Sequence, residues 1–234
     1  MNYFIGEKRE KIKFDYYISE GEEGNVYRTG AEVVKIYFRN WQNSYHGYLT
    51  EEEATQMTTI PSNHILLPRR LVYNENDEFC GYTTKYIRSY YGDSDYVENY
   101  HRERTVIERM RLFFLIKKIA KIYEEVRYLS QKGIIIADLL FPTDNYIFNG
   151  EFWIIDPGCY SFSDEPIEKI LEENIKTLNS FFISNLFYFG EEFFDQPANI
   201  PPTPTYTVCD YLQENGKKLE KTLQFMKRME KKKN

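Results

Sequence analysis

The segment Gly133–Gly158, GIIIADLLFPTDNYIFNGEFWIIDPG, limits what this chain can fold into more than any other stretch. It has the apolar content of buried strands, yet it carries Asp138, Asn145 and Asp156. An ionised carboxylate in such surroundings is costly unless a cation, a metal or a cluster of donors meets it. The segment therefore asks which of these neutralises the two aspartates. A chain of 234 residues is long enough for one large domain or two small lobes.

Residues 1–87 read as short strands and turns with one helix. Phe14–Ile18, Asn25–Tyr27 and Val33–Phe38 are strands around the glycine-containing turn SEGEEG and the tight turn at Thr29-Gly30. Thr50–Thr59 is a helix with Thr50 as N-cap and acidic residues in its first turn. Ile65–Tyr73 and Phe79–Ile87 form a further strand pair about the turn NEND. Residues 88–234 are mainly helical. Leu112, Leu115, Ile116, Ile119, Ile122, Tyr123, Val126 and Leu129 recur at helical spacing within Thr105–Gln131, and Gly133 ends that helix. An apolar helix over Glu165–Tyr188, a proline-rich loop at Ile200–Thr205 and a basic helical tail follow.

Several polar residues stand out along this order, each with a plain structural reading beside the chemical one. Gly21 and Gly24 let a turn approach a phosphate, or simply let it turn. Lys35 lies mid-strand between Val34 and Ile36 and, read alone, points to solvent. Glu53 serves the helix dipole or pairs with a cation. Asp156-Pro157-Gly158 is also a good turn by composition alone.

Taken together, the order resembles the protein-kinase-like superfamily: glycine loop, strand lysine, helix glutamate, catalytic-loop Asp and Asn, and a DFG-type Asp. The resemblance runs from Phe14 to Gly158. It implies an α+β, bilobal fold with an antiparallel sheet in the first lobe and a shortened helical second lobe. It implies an ATP- and Mg²⁺-dependent phosphotransferase acting on a hydroxyl of a protein or small molecule. By position, Gly21, Gly24 and Val26 would cover the nucleotide, and Lys85 and Ile87 would offer backbone groups to adenine beside Thr84 as gatekeeper. Lys35 would contact the phosphates and be held by an ion pair with Glu53. Asp138 would orient the acceptor hydroxyl, and Asn145 and Asp156 would hold Mg²⁺, a hard cation that takes oxygen ligands.

The sequence departs from that pattern at Ser19, Ile136-Ala137, Leu140 and Pro157, and Asp138 and Asn145 are seven positions apart. These departures support the alternative of a pseudokinase, a nucleotide- or partner-binding scaffold. A third reading, a fold unrelated to kinases, leaves the two aspartates as a hydrolase carboxylate pair or as turn residues. A net charge of −6 argues against a nucleic-acid binder. Cys80, Cys159 and Cys209 form no CxxC pair, and the charged first residues show no secretory signal. No apolar run approaches the ~20 residues of a membrane helix. The expectation is a soluble cytoplasmic protein.

Overall fold

The computed structural model describes residues 2–21, 23–38, 49–88, 112–137, 139, 145–187, 206–214 and 221. In chain order its elements are β1 (Phe4–Ile5), β2 (Glu10–Lys11), β3 (Tyr16–Glu20), β4 (Gly24–Thr29), β5 (Glu32–Tyr37), α1 (Glu51–Met57), β6 (Arg70–Tyr73) and β7 (Phe79–Lys85). They continue as α2 (Leu112–Gln131), β8 (Ile134–Ile135), β9 (Tyr146–Phe148), β10 (Phe152–Ile154), β11 (Ser161–Phe162) and α3 (Ile167–Phe187). A 3₁₀ turn at Pro157–Cys159 lies between β10 and β11. The protein is α+β.

The chain divides into two compact units: Met1–Asn99 with Ile136–Asp138 and Thr143–Phe162, and Tyr100–Ile135 with Leu139–Pro142 and Ser163–Asn234. The first holds a seven-stranded sheet in the order β2-β1-β6-β7-β5-β4-β3. Every neighbouring pair in it is antiparallel. The β4–β5 hairpin turns at Gly30, whose φ of +57° favours a residue without Cβ.

Alternation along β5 sorts its residues between the two faces. Val34 and Ile36 go to one face, where they form a core with Ile5, Ile12, Val72 and Cys80. Lys35 goes to the other, in register with Val26 on β4 and Tyr82 on β7. Neighbouring strands press close to β5. A Cβ built on Gly24 would lie 2.1 Å from the Ile36 carbonyl oxygen, and one on Gly81 would lie 2.0 Å from that of Lys35.

Two local expectations change. The β1–β2 hairpin extends the sheet beyond the anticipated strands, because two-residue strands in a charged stretch carry no readable alternation. The strand expected over Ile65–Tyr73 starts only at Arg70. Pro68 has no N–H for a ladder, and the residues before it pair elsewhere. The Ile154 N–H donates to the His64 carbonyl and the Leu66 N–H to the Ile154 carbonyl, both at 2.8 Å. Ile147 on β9 packs with Leu66 and Ile87. The β9–β10 hairpin falls in the same compact unit as the seven-stranded sheet.

The second unit is built on α2 and α3. Ile119, Ile122, Tyr123, Val126 and Leu129 are buried on α2, and Ile170, Ile175, Leu178, Phe181 and Phe182 on α3. Gly133, at φ +79°, ends the first helix as the sequence predicts. Asn174 is fully buried, and its amide donates to Ser130 Oγ at 2.9 Å and to the Ile134 carbonyl at 2.8 Å. The Val208 N–H donates to Asn179 Oδ1 at 3.2 Å, which fastens the helical turns at 208–214 to α3. No helix among the described residues is long and apolar enough to cross a membrane.

Candidate functional site

The counter-charge that meets Asp156 is Lys35. Strand alternation sends this lysine into the first unit's interior, leaving it 7% exposed. Its Nζ donates to Asp156 Oδ1 at 2.8 Å and Oδ2 at 2.7 Å, across 121 residues of sequence. It also donates to Glu23 Oε2 in a short contact. The Tyr82 hydroxyl, beside Lys35 on the next strand, donates to Asp156 Oδ1 at 2.8 Å. The Gly158 N–H reaches the same oxygen at 3.2 Å.

Asp156 follows β10 with φ 62° and ψ 77°, a left-handed conformation rare outside glycine. An aspartate tolerates it because its side chain can accept a hydrogen bond from the backbone two residues on, as it does here from Gly158. Strained backbone of this kind is held only where the surroundings fix it, and Lys35 and Tyr82 do so.

The charges shift as this geometry requires. Burial alone would raise the Asp156 pKa, but the Lys35 ammonium and the hydrogen bonds from Lys35, Tyr82 and Gly158 bring it below its ordinary 3.8. Burial opposes the charged form of Lys35 as well. Asp156 and Glu23 outweigh it and hold the ammonium above its ordinary 10.5. Burial, then the nearby Asp156, Tyr37 and Glu23, pushes the Tyr82 phenol well above 10.0, so it remains a donor.

The other sequence-predicted residues stand in differing relation to Lys35 and Asp156. Asn145 is buried, and its backbone carbonyl accepts the Ile155 N–H at 2.9 Å, one residue before Asp156. Val26 lies beside Lys35 in register. Gly21 and Gly24 close their turn on each other, the Gly21 N–H donating to the Gly24 carbonyl at 2.9 Å. Ile87 is buried with Leu66 and Ile147, and Thr84 is also buried. Lys85 is exposed, its Nζ 4.5 Å from the Trp153 ring centroid. Asp138 lies outside the described residues.

The expected Lys35–Glu53 ion pair does not form. Glu53 sits at the third position of α1 and turns back on Thr50, its Oε2 accepting from the Thr50 N–H at 3.0 Å and from Oγ1 at 2.8 Å. This is a reciprocal capping box, which satisfies the start of a short helix locally. The pattern T-x-x-E stood in the sequence to be read. Glu23 and Tyr82 are the contacts that sequence reasoning missed. Tyr82 had a usable signal, since it alternates with Thr84 on the strand that would flank Lys35. Glu23 had none beyond lying in the glycine turn.

Among the described residues, no group of three or more His, Cys, Asp or Glu could hold a metal ion. The Asp156 side chain remains 36% exposed. A partly exposed carboxylate is the kind of ligand that a Mg²⁺ ion keeping several waters would use. No protein-family model matches the chain, and no curated protein matches it.

Proposed function

We propose that the chain is a small bilobal, protein-kinase-like phosphotransferase that binds ATP with Mg²⁺ and phosphorylates a hydroxyl on a protein or small molecule. The observation that carries this reading is the meeting of Lys35 with Asp156 at 2.7 Å. The lysine proposed to bind phosphate and the carboxylate proposed to bind metal are held side by side, one from a sheet strand and the other from a turn after a hairpin. Lys35 would turn its ammonium to the phosphates. Asp156 and Asn145 would hold the metal, and Asp138 would orient the acceptor. Bound Mg²⁺ would neutralise charge on the phosphates, while the protein's own part is alignment and fixed positive charge.

A second reading keeps nucleotide binding without turnover. It is favoured by Glu53, which caps its own helix and leaves Lys35 to Glu23. Phosphate release or transfer with Mg-ATP separates the two.

The test of the shared step is thermal unfolding with Mg-ADP. Ligand at about a hundred times its dissociation constant stabilises the native state by about 2.7 kcal/mol. For a chain of this size that raises the melting temperature by about 5–10 °C. Asp156→Asn should lose the Mg²⁺-dependent part of the rise. No shift in the unsubstituted protein at millimolar Mg-ADP would overturn the proposal.

A further inference from the structure

Lys35 carries two carboxylates, and only one of them, Asp156, has a role in the proposed nucleotide site. The other belongs to Glu23, on the turn between β3 and β4, and it is built in. The Glu23 carbonyl accepts the Phe38 N–H at 2.9 Å, which pins its backbone beside the end of β5. Its Oε2 accepts from Lys35 and its Oε1 from Cys159 Sγ at 3.4 Å. The side chain is only 14% exposed. A Cβ on Gly158 would lie 2.7 Å from Glu23 Oε2, so the turn after Asp156 has glycine where this carboxylate comes in. The cluster of Lys35, Glu23 and Asp156 therefore carries one positive and two negative charges around a single ammonium.

This balance decides what can bind. A bare anion approaching Lys35 competes with Glu23 for the ammonium and is repelled by both carboxylates. A polyphosphate chelated to a divalent cation brings positive charge to the same place. The cation offsets Asp156, and a phosphate oxygen can replace the Glu23 oxygen on Lys35. Discrimination of this sort comes from a repulsive element placed against the wrong ligand.

Building on the nucleotide-site reading above, we propose that Glu23 is a specificity-determining residue, which keeps Lys35 from bare anions and yields it only to a polyphosphate that arrives with its divalent cation. Glu23 leaves Lys35 when such a ligand binds.

Isothermal titration with ADP, with and without Mg²⁺, on the unsubstituted protein, Glu23→Gln and Glu23→Ala tests this. The unsubstituted protein should bind Mg-ADP and not free ADP. Both variants should bind Mg-ADP about tenfold tighter, corresponding to the loss of roughly one competing ion pair, and should now bind free ADP. Adenosine, which has no phosphate, should bind all three alike. Equal Mg-ADP affinities, or an equal gain for adenosine, would overturn the role of Glu23 and leave the nucleotide site standing. Free ADP bound by the unsubstituted protein as tightly as Mg-ADP would overturn it without recourse to any variant. No binding of either form to any of the three proteins would overturn both proposals.

Discussion

Replacing Lys35 with Met removes the cation and leaves Glu23 and Asp156 facing one another. The Lys35 and Glu23 side chains are 8% and 14% exposed, so little solvent is at hand to take up the unpaired charge. Breaking a fully buried pair costs about 3–5 kcal/mol. The Asp156 side chain is 36% exposed, and solvent screening lowers the expected cost to about 2–3 kcal/mol. Asp156→Asn leaves Lys35 its Glu23 partner and should cost about 1–2 kcal/mol. The double variant should be less damaged than the sum of the two, by about 1–2 kcal/mol, because both remove the same contact. A Trp41→Phe background leaves Trp153 as the sole tryptophan, in the same unit as Lys35 and Asp156. Urea unfolding followed by its fluorescence should show the Lys35→Met midpoint lowered by about 1 M. A cost below about 0.5 kcal/mol for Lys35→Met, or additivity within about 0.5 kcal/mol, would refute the coupling of Lys35 with Asp156.

The pH dependence follows from the same contact. The Asp156 pKa lies below its ordinary 3.8, so its contribution is present above that value and is lost as pH falls through it toward the lower folded value. The stability gap between the unsubstituted protein and Asp156→Asn should therefore close below about pH 4; a gap unchanged at pH 2.5 would contradict it. Burial pushes the thiols of Cys80 and Cys209 up to about 12, whereas Cys159 is only half-buried. Iodoacetamide at pH 8 should modify Cys159 first, followed by mass spectrometry of the peptides, and equal rates at all three would refute this burial pattern. Gly81→Ala places a methyl 2.0 Å from the Lys35 carbonyl oxygen, and forcing the strands apart should cost about 1–3 kcal/mol in the same urea assay.

The sheet was legible where its strands are long enough to alternate. Val33–Phe38 could be read as a strand because apolar residues bracket Lys35 on both sides, and the turn at Asn74–Asp77 could be read from its composition. The first hairpin could not, since Phe4–Ile5 and Glu10–Lys11 gain their order from β6, a partner far along the chain. The length of Ile65–Tyr73 was overread because apolar content was weighed above the missing N–H of Pro68. The helices of the second unit were legible from spacing, and Gly133 from its place after the last apolar position.

The site shows a sharper division. That Asp156 needs a cation, a metal or donors follows from its apolar neighbours alone, but that Lys35 meets it does not: the kinase resemblance gives Asp156 to Mg²⁺ and Lys35 to phosphates and Glu53. Which carboxylate shares that lysine is a different kind of question. Glu53 and Glu23 both stand within reach in a sequence diagram, and family resemblance favours Glu53. Local chemistry decides otherwise. Thr50 lies three residues before Glu53 and offers its N–H and hydroxyl at no cost in chain ordering, so the helix start captures that carboxylate. Glu23 has no such partner in sequence and sits on a turn that β4 and β5 hold against the face bearing Lys35. A glutamate with a capping site next to it is thus a poor candidate for a distant ion pair, and a glutamate in a glycine turn beside a buried lysine is a good one. The same competition, between a local hydrogen bond and a remote charge, decides whether Lys35 is offered to a ligand or kept within the fold.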